Sequence, residues 1–335
     1  MEKVLTVTIP SYNVEKYLNQ TLDSFLDERI LEDIEVLVVD DGSKDNTAQI
    51  GKEYEEKYPQ TFRVISKENG GHGSTINRGI EEARGAYFKV VDGDDWVNTE
   101  DFVRMVQALK SCTAEYVVTN YNEVNDTTGE LTPVEFREFA GREVWDFEEA
   151  CKIRQMSMHA LVIRTSVLKE NHIRLDEHCF YVDVEYILFP VPYVKTVQYL
   201  DLTVYMYRLA VMTQSVSIQG YQRHMQNHID VIMHLTEFYE SMKQSCSPEK
   251  VEYIGKRTAQ MIGDQITIFM SFPEDDMEIR KKFITFDREL KNKSADIYER
   301  AGMESGSLRM FRRLHFKGYT WVARFCKKRN RIGED

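Results

Sequence analysis

The sequence predicts an α/β fold with a mainly parallel central sheet, followed by a helical C-terminal region. Three observations carry that expectation. Over the first 120 residues, short runs rich in Val and Ile alternate with amphipathic segments. Polar or glycine-rich clusters follow four successive runs. From about residue 220 to 300, apolar residues recur at three- and four-residue spacing, as in "HMQNHIDVIMHLTEFYESM".

Taken in order, "VLTVTI" (4–9), "IEVLVVD" (34–40), "FRVIS" (62–66), "AYFKVVD" (86–92) and "EYVVTN" (115–120) read as strands. Continuous apolar runs of this length suit strands covered on both faces. Helices are expected around 14–29, 46–57, 74–84 and 99–110, and strict alternation means βαβ units. Gly42 marks a turn, Asp45 or Asn46 caps the second helix, and Thr99 caps the fourth. Residues 121–140 read as an antiparallel excursion, 146–160 as a helix, and 197–208 as one or two strands.

The chain has 335 residues, enough for a full α/β domain with an appended unit. Its net charge of -12 argues against a nucleic-acid partner, because phosphate backbones are held mostly by Lys and Arg. Five scattered cysteines form no C-x-x-C pair and read as reduced thiols of a cytoplasmic protein. The N-terminus reads as a strand rather than a signal peptide, and no apolar stretch reaches the length of a membrane span.

In an open parallel sheet, ligands bind beyond the carboxyl ends of the strands. "PSYN" (10–13), "DDGSKDNT" (40–47), "ENGGHGSTIN" (68–77) and "DGDDW" (92–96) all fall there. Neither G-x-G-x-x-G after the first strand nor a G-x-x-x-x-G-K-[ST] loop is present, which excludes those two phosphate cradles. Asp92 and Asp94 instead flank Gly93, expected to turn the backbone so that both carboxylates reach one ion. Paired hard oxygen donors suit Mg²⁺ or Mn²⁺, which take further ligands from substrate phosphates.

These motifs, with "VTIPSYNVEKYLNQTLDSFL", "IEVLVVDDGSKDNT" and "NGGHGSTINRGIEEARGAYFKVVDGDDW", closely resemble the family-2 glycosyltransferases of the GT-A fold over residues 3–120. The resemblance implies a Rossmann-like α/β/α sandwich and sugar transfer from a nucleotide diphosphate sugar, a UDP-sugar by expectation. It implies that residues 1–120 bind the donor, 121–218 form the acceptor part of the same domain, and 219–335 a helical region. By position, Pro10, Tyr12 and Asn13 lie beside the nucleoside, and Asp41 accepts from the base. Asp94 is the first choice for direct metal ligation, with Asp92 on the ribose or the ion. His72 either touches the donor or orders its loop. Asn69 and Asn77 read as loop-ordering residues, and the roles of Asp95 and Trp96 stay open.

An inverting transfer needs a carboxylate to take the acceptor hydroxyl's proton. In the family an acidic pair supplies it, and in "FYVDVEYILFP" (180–190) Asp183 matches the second acid, Val182 replaces the first, and Glu185 is the fallback. "YMYRLAVMTQSVS" (205–217) resembles the segment closing over the donor, bringing Tyr207, Arg208 and Ser215 to the diphosphate. The Q-x-x-R-W motif of processive members is absent, which favours single-sugar addition to a glycan or polyprenyl-linked glycan. A sugar nucleotidyltransferase and a catalytically impaired glycan-binding scaffold are the alternatives. Finally, residues 309–331 interleave nine Lys or Arg with aromatics and no acid, the pattern of a helix lying on an anionic membrane. The expected location is cytoplasmic and peripheral on the inner face of the cell membrane.

Overall fold

The computed structural model describes residues 3–209 and 218–330. The chain divides into two compact units, Met1–Val211 and Met212–Asp335.

The first unit opens with β1 (Lys3–Ser11), α1 (Leu18–Asp23), β2 (Ile34–Asp40), α2 (Thr47–Lys57), β3 (Phe62–Ser66), α3 (His72–Glu82) and β4 (Gly85–Val90). It continues through β5 (Trp96–Val97), α4 (Thr99–Leu109), β6 (Tyr116–Asn125), β7 (Leu131–Val134), β8 (Trp145–Asp146) and α5 (Phe147–Ile153). β9 (Leu161–Arg164), α6 (Thr165–Glu170), α7 (Asp183–Leu188) and β10 (Thr196–Leu209) complete it. The strands form one sheet in the order β3-β2-β1-β4-β9-β6-β10-β5, with β7 on β6 and β8 on β10. β1 pairs in parallel with β2 and β4, β2 with β3, and β6 with β10, whereas β9 runs antiparallel between β4 and β6. The expected parallel sheet is therefore present with one reversed strand inside it. Every residue of β2 is buried, as continuous apolar strands of such a sheet should be.

Register places the functional rim. Ser11 lies opposite Asp40 and Asp40 opposite Ser66, so three strands end level, and β4 ends beside them with Val90 opposite Thr8. The chain moves from β1 to β2 on one side and returns to β4 on the other, which opens a crevice at their carboxyl ends.

Several local expectations are corrected. The first helix stops at Asp23 rather than near 29, because the Ser24 hydroxyl turns back to the Thr21 carbonyl (2.6 Å) and accepts from Val97 N (3.2 Å). Asn98, not Thr99, caps α4, its side chain accepting from Asp101 N at 3.1 Å. The helix expected over 146–160 ends at Ile153, and the chain then extends to bury Met156 and Met158. β9, four residues long, carries too little sequence to announce itself.

At the opposite rim Glu35 is buried, accepting from the Thr6 hydroxyl (2.8 Å) and Arg84 N (2.7 Å) and pairing with Arg63 (3.0 Å).

The second unit consists of α8 (Ile218–Arg223), α9 (Met225–Met242), α10 (Pro248–Ser271), α11 (Met277–Lys293), α12 (Ala295–Glu304), α13 (Gly306–Arg313) and α14 (Tyr319–Asn330). Its aromatic core stacks Phe269 on Phe283 (4.7 Å) and sets Phe311 edge-on to Phe283 (5.1 Å). Among the described residues no helix is long and apolar enough to cross a membrane.

Glu35→Ala leaves the buried Thr6 hydroxyl without its acceptor, while Arg84 N keeps Thr6 Oγ1 at 3.2 Å and Arg63 keeps Glu82 as a partner at 2.7 Å. The expected loss is therefore that of unsatisfied hydrogen bonds, about 2 kcal/mol, rather than of a stranded ion. Urea denaturation measures it, and an unchanged midpoint would contradict this account.

Candidate active site

The acid loop 92–95 leaves β4 and lies against β1. Gly93 N donates to the Pro10 carbonyl at 3.1 Å, and a Cβ at Gly93 would sit 2.9 Å from that oxygen and 3.1 Å from Ser11 Oγ. Gly93 is thus required by close approach, whereas the sequence pattern alone assigns it to backbone turning.

The loop's last acid is its anchor. Asp95 is 1% exposed and accepts from Tyr205 OH (2.6 Å) and Arg208 N (2.7 Å), while its carbonyl accepts from Thr21 Oγ1 (2.6 Å). Burial, with Asp94 and Asp92 adding repulsion, raises its carboxyl well above the ordinary carboxylate range. Tyr205 OH also accepts from Asp92 N at 3.1 Å. Sequence reasoning assigns Tyr205 no role, and the only available signal is its place in the alternating 197–208 run.

Arg208 does not present its charge to open space. It is 7% exposed, and its Nε donates to the Asp94 carbonyl (2.7 Å) and its Nη2 to Gln20 Oε1 (2.7 Å). Its Nη1 pairs with Asp126, and its guanidinium lies between the Tyr17 and Trp96 rings (4.6 and 4.7 Å). In this setting the guanidinium clamps the acid loop, with the Trp96 ring as one wall of that clamp. Tyr207 stacks on His159 at 4.0 Å. Ser215 lies outside the described residues.

The acids that face the crevice form a charged group. His72, the first residue of α3, meets Asp92 Oδ1 through Nε2 at 2.8 Å. Burial works against the His72 imidazolium, but Asp92 outweighs it, with Asp183 and Asp94 adding to the rise. Burial likewise opposes ionisation of Asp92, and His72 overcomes it to hold that carboxyl below its ordinary value. Burial and the Asp92 charge push Asp94 up to about 6. Donor atoms of Asp92, Asp95 and His159 lie within 4.8 Å of one another. Burial lowers His159 to about 4, leaving a neutral ring whose nitrogen lone pair can bind a cation. Asp94 is not in that group and Asp95 is taken up by Tyr205 and Arg208, so the Asp92 carboxylate with the neutral His159 ring is the part of it that fits Mn²⁺ or Mg²⁺.

Asp183 begins α7, and its charge adds to the rise at His72. Glu185 is fully buried and accepts from Asp176 N at 2.8 Å, so the fallback acid is committed to a loop.

At the ends of β2 and β3 opens a cleft of about 530 Å³ lined by Tyr12, Asp40, Gly42, Lys44, Lys67 and Asn69, among others. The Tyr12 ring is 51% exposed. Asn13 is left-handed (φ 54°), and its Oδ1 accepts from Lys44 N at 2.8 Å, closing the first two rim segments on each other. Asp41 faces inward and accepts from Gly70 N, Gly71 N and Lys67 Nζ, each at 2.8 Å. Its carboxylate therefore holds the loop before α3. Asn69 and Asn77 act as loop-ordering residues, Asn77 exchanging hydrogen bonds with both backbone groups of Leu175 (2.9 and 2.8 Å) and Asn69 donating to the Asp41 carbonyl.

Residues 6–171 match the family model described as glycosyl transferase family 2. The uncharacterized glycosyltransferase EpsJ of Bacillus subtilis (strain 168) is 39% identical over 107 residues, 32% of this chain and 30% of EpsJ. The teichoic acid poly(glycerol phosphate) polymerase of Staphylococcus epidermidis is 26% identical over 281 residues, 78% of this chain and 36% of the polymerase. The chain thus spans about a third of the length of these curated relatives. In fold it is similar to S. aureus TarS 1-349, crystallised in complex with UDP-GlcNAc. The TM-score is 0.65 at 19% identity, covering 97% of this chain and 92% of that one.

The raised Asp94 carboxyl gives a stability prediction. It keeps its proton to higher pH when folded, so its contribution is complete below about 3.8 and is lost as pH rises through about 6. Since Asp94 is partly exposed, the loss in metal-free protein is discounted to about 1–2 kcal/mol. Asp94→Asn should remove that fall and melt higher than the parent above pH 6. Parallel melting curves from pH 4 to 7 would refute it.

Proposed function

Because the chain belongs to glycosyl transferase family 2 through residues 6–171, we propose that it moves a sugar from a UDP-sugar to a glycan or polyprenyl-linked glycan, with inversion and one sugar at a time. The observation that carries this reading is the Asp92 carboxylate held by His72 at 2.8 Å at the carboxyl rim, with the charges of Asp94 and Asp183 acting on the same histidine. Surface polysaccharide synthesis is the pathway class that the relatives' names suggest.

In this reading the exposed Tyr12 ring is the platform for the nucleoside, with the Asn13 turn holding it in place. Asp41 serves the donor indirectly, by fixing the loop that precedes His72. With Arg208 committed to the acid loop and Lys67 paired with Asp41, the exposed Lys44 on the cleft wall supplies its positive charge. Asp92 and Asp94 hold the metal, Mn²⁺ or Mg²⁺, with His159 at hand. When bound, that ion supplies the charge that stabilises a leaving diphosphate. Asp183 takes the proton of the acceptor hydroxyl as its oxygen attacks the anomeric carbon from the face opposite the diphosphate. Arg208 and Tyr205 act as positioning residues that keep Asp92 and Asp94 facing the crevice. A lipid-carried acceptor would bring the protein to the inner face of the cell membrane.

A thermal-shift panel of nucleotide sugars with and without Mn²⁺ tests the donor half, since a ligand that binds only the native state raises the melting temperature. A UDP-sugar should stabilise the parent only with Mn²⁺, and Asp92→Ala should abolish the shift. An equal shift in that variant would remove the metal assignment. Asp183→Asn should keep the shift and lose transfer by about 10²- to 10⁴-fold. An active Asp183→Asn would move the base elsewhere.

A further inference from the structure

The second unit sorts its basic residues into two sets. Arg312 faces inward, paired with Asp287 at 2.7 Å and stacked on Tyr298 at 3.4 Å. Lys327 also faces inward, donating to the Phe272 carbonyl (2.7 Å) and pairing with Glu274 (3.5 Å). Arg309, Arg313, Lys317, Arg324 and Lys328 are exposed. No Asp or Glu occurs in the sequence from 305 to 330, so these five cations are interrupted by no acid of their own segment.

Between them lies an apolar ridge that the fold leaves outside. α14 buries Tyr319, Val322, Ala323 and Cys326 at 0–3% exposure, which turns Trp321 (64%) and Phe325 (46%) outward. One helical turn apart, the two rings stack at 6.0 Å and 15°. Leu314, on the turn before α14, is 38% exposed as well. That turn is held firmly, with His315 and Phe316 both left-handed (φ 48° and 57°) and the Phe316 ring packed on Phe283 and Phe311 (5.2 and 5.7 Å).

We propose that this outward face of α14 and the turn before it is a docking surface for an anionic lipid bilayer. Lipid phosphates take the cations, and the interfacial zone takes Trp321 and Phe325, whose flat rings suit the headgroup boundary. With 12 residues, α14 is far too short to span and lies in the plane of the surface. Exposed aromatics set among cations favour a bilayer over a soluble polyanion, which would engage the charges and leave the ridge wet. The proposed transfer reading supplies a reason for such a surface, a lipid-carried acceptor, and the inference rests on it only for that reason.

The test is partitioning of the full chain onto sedimented vesicles of equal parts phosphatidylglycerol and phosphatidylcholine, against phosphatidylcholine alone. Binding to the anionic vesicles should exceed neutral binding by about tenfold or more and fall as salt rises. Arg324→Glu/Lys328→Glu should cut it by about a hundredfold and Trp321→Ala/Phe325→Ala by about tenfold. Both pairs are exposed, so melting temperatures should not change. Equal binding to both vesicles, or binding untouched by both variants, overturns the proposal. So does binding to heparin with none to vesicles, or a dimer in sedimentation that Trp321→Ala/Phe325→Ala disperses. The donor-induced thermal shift of the parent is read alongside. Its loss counts against the transferase reading, and failed vesicle binding with the shift intact counts against the surface alone.

Discussion

The first unit depends on one buried carboxyl. An acid taken out of water must be hydrogen-bonded or give up its charge. Asp95 is met by a tyrosine hydroxyl and a backbone amide from β10, while α1 reaches its carbonyl through Thr21. Three segments distant in sequence are thereby tied at one residue. Its neighbours Asp92 and Asp94 cannot follow it inward and are left on the crevice side, close enough to repel each other. The strength of the anchor and the repulsion between the two half-buried acids arise from the same four-residue turn.

His72 and Asp41 extend this logic across the rim. Asp41 captures the two amides before α3, and α3 then begins with the histidine that meets Asp92. Ends of β2, β3 and β4 are linked through charged groups rather than through apolar packing. Such a link can be loosened by an added ion without disturbing the core beneath it, which suits a site that must admit a polyanionic ligand.

The parallel sheet, its functional rim and the acid pair were legible because they rest on short-range pattern: apolar runs, turn residues, and acids two apart. The fate of Arg208 and Glu185 was not. A lone arginine after a strand looks the same whether it meets a ligand or slots between Tyr17 and Trp96, and only long-range packing decides. Glu185 sits two residues from Asp183, yet α7 turns it fully inside. Gly93 shows the same limit, since a glycine that avoids a clash with Pro10 cannot be told from one that turns the chain. In the tail, periodicity located basic and aromatic residues but could not separate Arg312 and Lys327, which brace the helices, from the cations left outside.

The reversed strand β9 has a consequence for how this protein could have been assembled. It fills the gap between β4, which ends in the acid loop, and β6, which leads toward the acceptor half. Cut away from it, the segment up to residue 120 would carry β4 as a naked edge, open to pairing with any passing strand. The two stretches of chain on either side of residue 120 are thus woven rather than joined, and recombination that shuffled one without the other would have to break a sheet.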